Sequence, residues 1–194
     1  MTGFRLLQTL WLALPVIAGG LLHIVAIKID VLSPLARMPV DGGLTWRGRR
    51  LLGDNKTVRG VILMISATTL CAVVQGLLES HVEWARTLSL PGAGRLDPVR
   101  WGLLLGTGYV VGELPNSFIK RQLDVAPGGA ANGWLGPIFW VIDQVDSLIG
   151  VLVSMRAAWV PPLDVVVLLF VIALTVHPAV AFGMVVLGLK HRVG

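Results

Sequence analysis

Apolar residues run along this chain in five blocks, at about positions 9–27, 61–78, 101–118, 134–154 and 163–189. Stretches rich in Lys, Arg, Asp, Gly and Pro separate them. The blocks show no alternation with a period of two, so they do not read as barrel strands. A bilayer core is spanned by about 20 helical residues, and inside lipid the backbone must bond to itself. The pattern therefore predicts an all-α integral membrane protein with about five transmembrane helices. The third block is glycine-rich and ends in polar residues; the fifth is long enough to cross with tilt. All 194 residues fit a single membrane domain, 1–194.

Composition strengthens this reading. Hydrophobic residues make up 55% of the chain and charged ones 14%, with a mean hydropathy of +0.78. A soluble domain carries about a quarter charged residues, so the composition rules out disorder and argues strongly against an ordinary soluble fold. Cys71 is the single cysteine, which rules out an internal disulfide framework and a cysteine-based zinc site. The net charge of +5 does not point to nucleic acid here. In an apolar chain, basic residues sit on membrane-facing loops and meet anionic lipids or phosphates.

Their distribution orients the chain. Eleven of the sixteen Lys and Arg residues fall between blocks one and two, between blocks three and four, and at the C-terminus; five fall on the other side. Basic loops stay in the cytosol. The N-terminus is thus expected outside, the C-terminus inside, and segments 28–60 and 119–133 as cytosolic loops that contribute to an active site. Trp84, Trp101, Trp134 and Trp159 lie near block ends, where amphipathic rings anchor at the interface. No small-x-small cleavage site follows the first block, so it reads as a span rather than a signal peptide.

An ionisable residue inside a span costs about 3 kcal/mol on insertion scales, so the positions that carry one are informative. Asp143-Gln144-Val145-Asp146 lies within block four, with Asp143, Asp146, Ser147 and Gly150 on one helical stripe. Two carboxylates a turn apart repel unless a cation lies between them. Mg²⁺ favours few carboxylates plus substrate phosphates, so the pair fits a nucleotide-metal site better than a proton-shared packing contact. Glu113, Asn116, Ser117 and Lys120 follow i, i+3, i+4, i+7, a polar face on a helix leaving the membrane, with Pro115 expected to kink it. Gly128 and Gly129 follow in a loop open to phosphate.

The third group is Asp41 and the cation-rich turn 47–60, with Gly53, Asp54, Asn55, Lys56, Thr57 and Arg59. It lacks the G-x-x-x-x-G-K-[ST] spacing of a Walker A loop, yet a glycine-flanked basic turn beside a membrane suits polyphosphate. Lipid headgroup contact is the simpler alternative for its arginines. His177 precedes Pro178 in block five and reads first as a packing residue. Gly19-Gly20 suggests a close helix contact.

Together these motifs resemble the CDP-archaeol synthase family, integral-membrane relatives of phosphatidate cytidylyltransferases. The resemblance is carried by Gly-Asp-Asn-Lys-Thr-x-x-Gly at 53–60, Asn-Ser-Phe-x-Lys-Arg at 116–121 and Asp-Gln-x-Asp at 143–146, with His177-Pro178 and Gly188-Leu189-Lys190 less specific. It implies a five-helix fold and an Mg²⁺-dependent reaction of CTP with a membrane lipid phosphate, giving a CDP-activated lipid and pyrophosphate. It further implies a cytosolic polar cavity. Catalysis falls to Lys120, Asp143 and Asp146, and the metal to Asp143, Asp146 and Glu113. Substrate is held by Asp54, Asn55, Lys56, Thr57, Arg59, Asn116, Ser117, Lys120 and Arg121. Glu113 stands where the family's pattern has Asp, and Gln122 where a third basic residue is common.

Two other functions compete. A small transporter or ion-binding channel would use the intramembrane carboxylates but not the accompanying Lys56, Lys120 and Arg121; a membrane scaffold would need neither. Tail-contacting positions would be Leu, Val, Ile or Ala for archaeol-type or diacylglycerol acceptors alike, and no motif sets the oligomeric state.

Overall fold

A computed structural model describes residues 2–129 and 131–186. Its five long helices are α1 (Thr2–Lys28), α2 (Val58–His81), α4 (Pro98–Gln122), α5 (Leu135–Met155) and α6 (Leu163–Val186), with a short α3 (Glu83–Leu88) between α2 and α4. Helices α5 and α6 begin within a residue of their expected blocks, while α1, α2 and α4 outrun theirs: α1 starts seven residues earlier and α4 continues four residues beyond Phe118. Four of the five (α1, α2, α5 and α6) are long and apolar enough to cross a membrane. The exception, α4, is the chemistry-bearing helix. It packs between α2 and α5, so its polar residues face protein and its circumference need not be apolar.

Local sequence explains the helix ends. Thr57 caps α2, its hydroxyl accepting from the Gly60 N–H at 3.2 Å, and Asp97 caps α4 by accepting from Arg100 N–H at 2.7 Å, with Pro98 in the first turn. Pro115 sits inside α4, and the helix runs through it to Gln122. Leu12, Leu105, Val151, Met155, Val165 and Leu169 form the core where α1, α4, α5 and α6 meet.

Glycine sets the distance between α4 and α5. A carbon added at Gly112 would lie 2.5 Å from the Asp146 carbonyl oxygen and 2.9 Å from Gly150 Cα; one added at Gly150 would lie 2.1 Å from the Gly108 oxygen. The two backbones touch along 108, 112 and 150, and the next turns of the same faces carry Asn116 and Asp146. Gly19 makes the expected close contact, its added carbon 2.8 Å from Thr68 backbone, whereas Gly20 has nothing within 4 Å.

The 29–57 loop is more ordered than its composition suggests. Strands β1 (Thr45–Trp46) and β2 (Arg49–Arg50) pair antiparallel, Thr45 opposite Arg50 and Trp46 opposite Arg49. Arg47 and Gly48, at φ 51° and 78°, form the two-residue turn.

Candidate active site

The 29–57 and 123–134 loops meet at one end of the bundle. Arg49 donates to Asp124 at 2.6 Å and to the Gln122 carbonyl, and the Gln122 amide donates to the Arg50 carbonyl at 3.3 Å. Beneath them, α4, α5 and α1 enclose a cavity of about 450 Å³.

The floor of this cavity joins α4 to α5. Lys120 Nζ lies 2.5 Å from both carboxylate oxygens of Asp143 and 5.5 Å from the centre of the Phe139 ring. One turn earlier, the Asn116 amide nitrogen donates to Asp143 at 2.6 Å and to Asp146 at 2.7 Å. Asp146 also accepts from the Ser147 N–H at 2.6 Å. On the other wall, Lys56 is ion-paired with Glu113, and Tyr109 lines the cavity beside them. Arg121 is buried, its Nε and one Nη without a partner. Gly53, at φ 95°, turns the loop over it: a carbon added there would be 3.4 Å from Arg121 Cδ and 3.1 Å from Pro127.

The structure brings Asn55, Lys56, Glu113, Asn116, Ser117, Lys120, Arg121, Asp143 and Asp146 to this one cavity. It does not bring the rest of the candidate set to its lining. Asp54 is exposed and accepts from Arg50 at 2.6 Å, Thr57 is occupied as the α2 cap, and Arg59 pairs with Asp30 at 2.8 Å. The Tyr109, Gln144, Trp140 and His23 side chains line the cavity without having been singled out as site residues. For His23, an ionisable residue in an otherwise apolar span was the available signal. The His177 side chain and residues 188–192 lie outside the described residues.

Asp41 organises the loop above the cavity. Its buried carboxylate accepts from the N–H groups of Leu52 (2.9 Å), Gly43 (3.0 Å) and Gly53 (3.3 Å) and from Arg50 at 2.8 Å. Burial alone would push this carboxyl up. The Arg50 guanidinium and the three amides outweigh it and hold the group well below the usual carboxylate range. Arg50 and Arg49 are thus engaged by Asp41, Asp54, Asp124 and Gln122, so internal pairing organises them.

The donor set suits a hard cation. Asn116 Oδ1 is buried and unpartnered next to the two aspartates its nitrogen holds, and carboxylate and amide oxygens are what Mg²⁺ accepts. Among the described residues no three His, Cys, Asp or Glu side chains form a metal-holding group; Glu113 is ion-paired with Lys56 and lies within electrostatic reach of Asp146.

A family model described as CarS-like CDP-archaeol synthase matches residues 4–193. The chain belongs to this family. Membership makes it an enzyme, a nucleotidyltransferase of the cytidylyltransferase type. A CDP-archaeol synthase of Pyrococcus furiosus is 35% identical over 140 residues, covering 72% of this chain and 73% of that protein. One from Methanocaldococcus jannaschii is 33% identical over 141 residues, with the same shares. A third, from Thermococcus kodakarensis, is 37% identical over 116 residues, covering 59% and 57% of the two chains. The fold is also that of a solved intramembrane enzyme for archaeal membrane lipid biosynthesis: TM-score 0.63, 24% identity, covering 89% of this chain and 92% of that one.

Proposed function

We propose that this family member transfers CMP from CTP to the phosphate of an archaeol-type membrane lipid, releasing pyrophosphate. One observation carries the reading. Two α5 carboxylates, held by Asn116 and Lys120, share a cavity with Lys56 and the unpartnered guanidinium of Arg121. Carboxylates alone would suit an ion carrier; the cations beside them suit a polyphosphate, and the relatives' names favour the synthase.

An oxygen of the lipid phosphate attacks the α-phosphorus of CTP, and the bond from that phosphorus to the oxygen bridging to the β-phosphate breaks. Both reactants are already anionic, so the demand is electrostatic rather than for a general base. Lys120 and Arg121 reach the phosphates from α4, and Lys56 from the loop. Glu113 orients Lys56. Asp143 and Asp146, with Asn116, are the residues that would hold Mg²⁺, which supplies charge neutralisation for the triphosphate and the leaving pyrophosphate.

The lipid side of the cavity is apolar. Val16, Gly20 and Ile24 of α1 face Val176 and Val180 of α6, and a second, apolar cavity continues from Val16, Tyr109 and Val176 past Leu105 and Leu169. The hydrocarbon chains lie along this crevice while CTP enters from the loop end, which we place in the cytosol, with five membrane crossings and the N-terminus outside. Incubating the purified protein with radiolabelled CTP and a panel of dialkylglycerol and diacylglycerol phosphates, with and without Mg²⁺, tests the proposal. Labelled CDP-lipid should form only with lipid phosphate and Mg²⁺; no product with any acceptor defeats it.

A further inference from the structure

His23 is the polar side chain on the face of α1 that lines the cavity; its neighbours there, Gly20, Ile24 and Ile27, are apolar. Its Nε2 is shielded from solvent and has no hydrogen-bond partner. A buried polar atom without a partner is uncommon and costly, and its usual explanation is a missing ligand. The nitrogen sits against the first turn of α2, 3.8 Å from where a Cβ on Gly60 would stand. That turn is the positive end of a 24-residue helix. Lys56 and Arg59 add positive charge within electrostatic reach, partly offset by Glu113. One turn back along α1, the space over Gly20 is open, with nothing within 4 Å of an added carbon.

We infer that His23 is a substrate-contact residue that donates a hydrogen bond from Nε2 to the phosphate of the lipid acceptor, at the mouth of the apolar crevice. The inference rests on the transferase reading above and assigns one residue its partner within it. The position decides between the two phosphate-bearing substrates. Lys120 and Arg121 stand on α4 under the loops, where Gly128 and Gly129 also line the cavity. His23 stands on α1 among Leu21, Ile24 and Ile27, beside the hydrocarbon path. A phosphate held there keeps its ester side toward the chains and its free oxygens toward Lys56.

The test uses the full chain in detergent and two variants. His23→Leu keeps an apolar volume without the donor; His23→Gln places an amide N–H near the position of Nε2. KM for a dialkylglycerol phosphate should rise about 10-fold in His23→Leu and return most of the way in His23→Gln, with KM for CTP unchanged. Equilibrium binding of the radiolabelled dialkylglycerol phosphate, without CTP, should weaken by the same factor, while the matching dialkylglycerol alcohol binds all three proteins alike. A rise in KM for CTP instead, equal behaviour of Leu and Gln variants, or unchanged lipid-phosphate binding overturns the inference. Wild-type protein that binds the lipid phosphate in a His23-dependent way but forms no CDP-lipid would defeat the transferase reading and leave this contact standing. Failure of the wild type to bind the lipid phosphate overturns it.

Discussion

Lys120 on α4 holds both carboxylate oxygens of Asp143 on α5 at 2.5 Å. Two of the three ammonium donors are engaged in this grip, which leaves one for a substrate phosphate on the proposed reading. Lys120→Met should lower turnover about 100-fold to 1000-fold, the scale for losing one preorganised donor in a charge-stabilising site. Steady-state CMP transfer measures this, and a Tm near wild type separates it from unfolding.

Asp143→Asn and Asp146→Asn should abolish turnover while the protein stays folded, because each amide keeps a shape that can still bond Asn116. Chelation should silence the wild type and Mg²⁺ should restore it. A variant retaining one carboxylate should need more Mg²⁺ for any residual rate, since each lost ligand weakens the ion. An Asp146→Asn enzyme of normal activity would remove Asp146 from the metal site.

The glycine contact between α4 and α5 makes a separate prediction. Gly112→Ala and Gly150→Ala force carbon into backbone at 2.5 Å and 2.1 Å, and each should cost about 1–3 kcal/mol of stability. Turnover should fall as well, because the displaced backbone carries Asp146. Gly3→Ala, with nothing within 4 Å of the added carbon, is the control and should be neutral in a denaturation assay.

Asp41 gives the pH dependence. Its folded carboxyl titrates well below the usual range, so the stability it contributes is complete above about pH 4, the unfolded value. That contribution is lost as pH falls through the lower, folded value. Limited proteolysis should therefore show the 38–57 loop protected at neutral pH and cleaved faster in strong acid. Asp41→Asn should be cleaved quickly at every pH, having lost the Arg50 ion pair and part of the amide cradle, at a cost of about 2–3 kcal/mol.

Much of the site could be read from sequence because its physics is local. Asp143 and Asp146 are visible as costly charges one turn apart in an apolar run, and Asn116 and Lys120 as neighbours four residues apart on a polar face. The structure then shows those two stripes facing each other. What stayed hidden depends on long-range pairing. Arg49 meets Asp124 across 75 residues and Arg50 meets Asp41, so arginines that resemble a phosphate or headgroup patch also serve as internal braces. The hairpin was equally hidden, since two-residue strands carry no periodicity and Arg47 is not a residue that advertises a left-handed turn. His23 needed the cavity itself to give a lone imidazole its meaning.

The crevice between α1 and α6 has a consequence for energy cost. Each methylene drawn out of oil into water costs about 0.8 kcal/mol, so lifting a whole two-tailed molecule to an aqueous site would be prohibitive. On the proposed lipid path, tails lying between Val16 and Val176 would stay in their own solvent from arrival to departure. Only the head would then have to change surroundings, and the catalyst would work as a shoreline rather than a port.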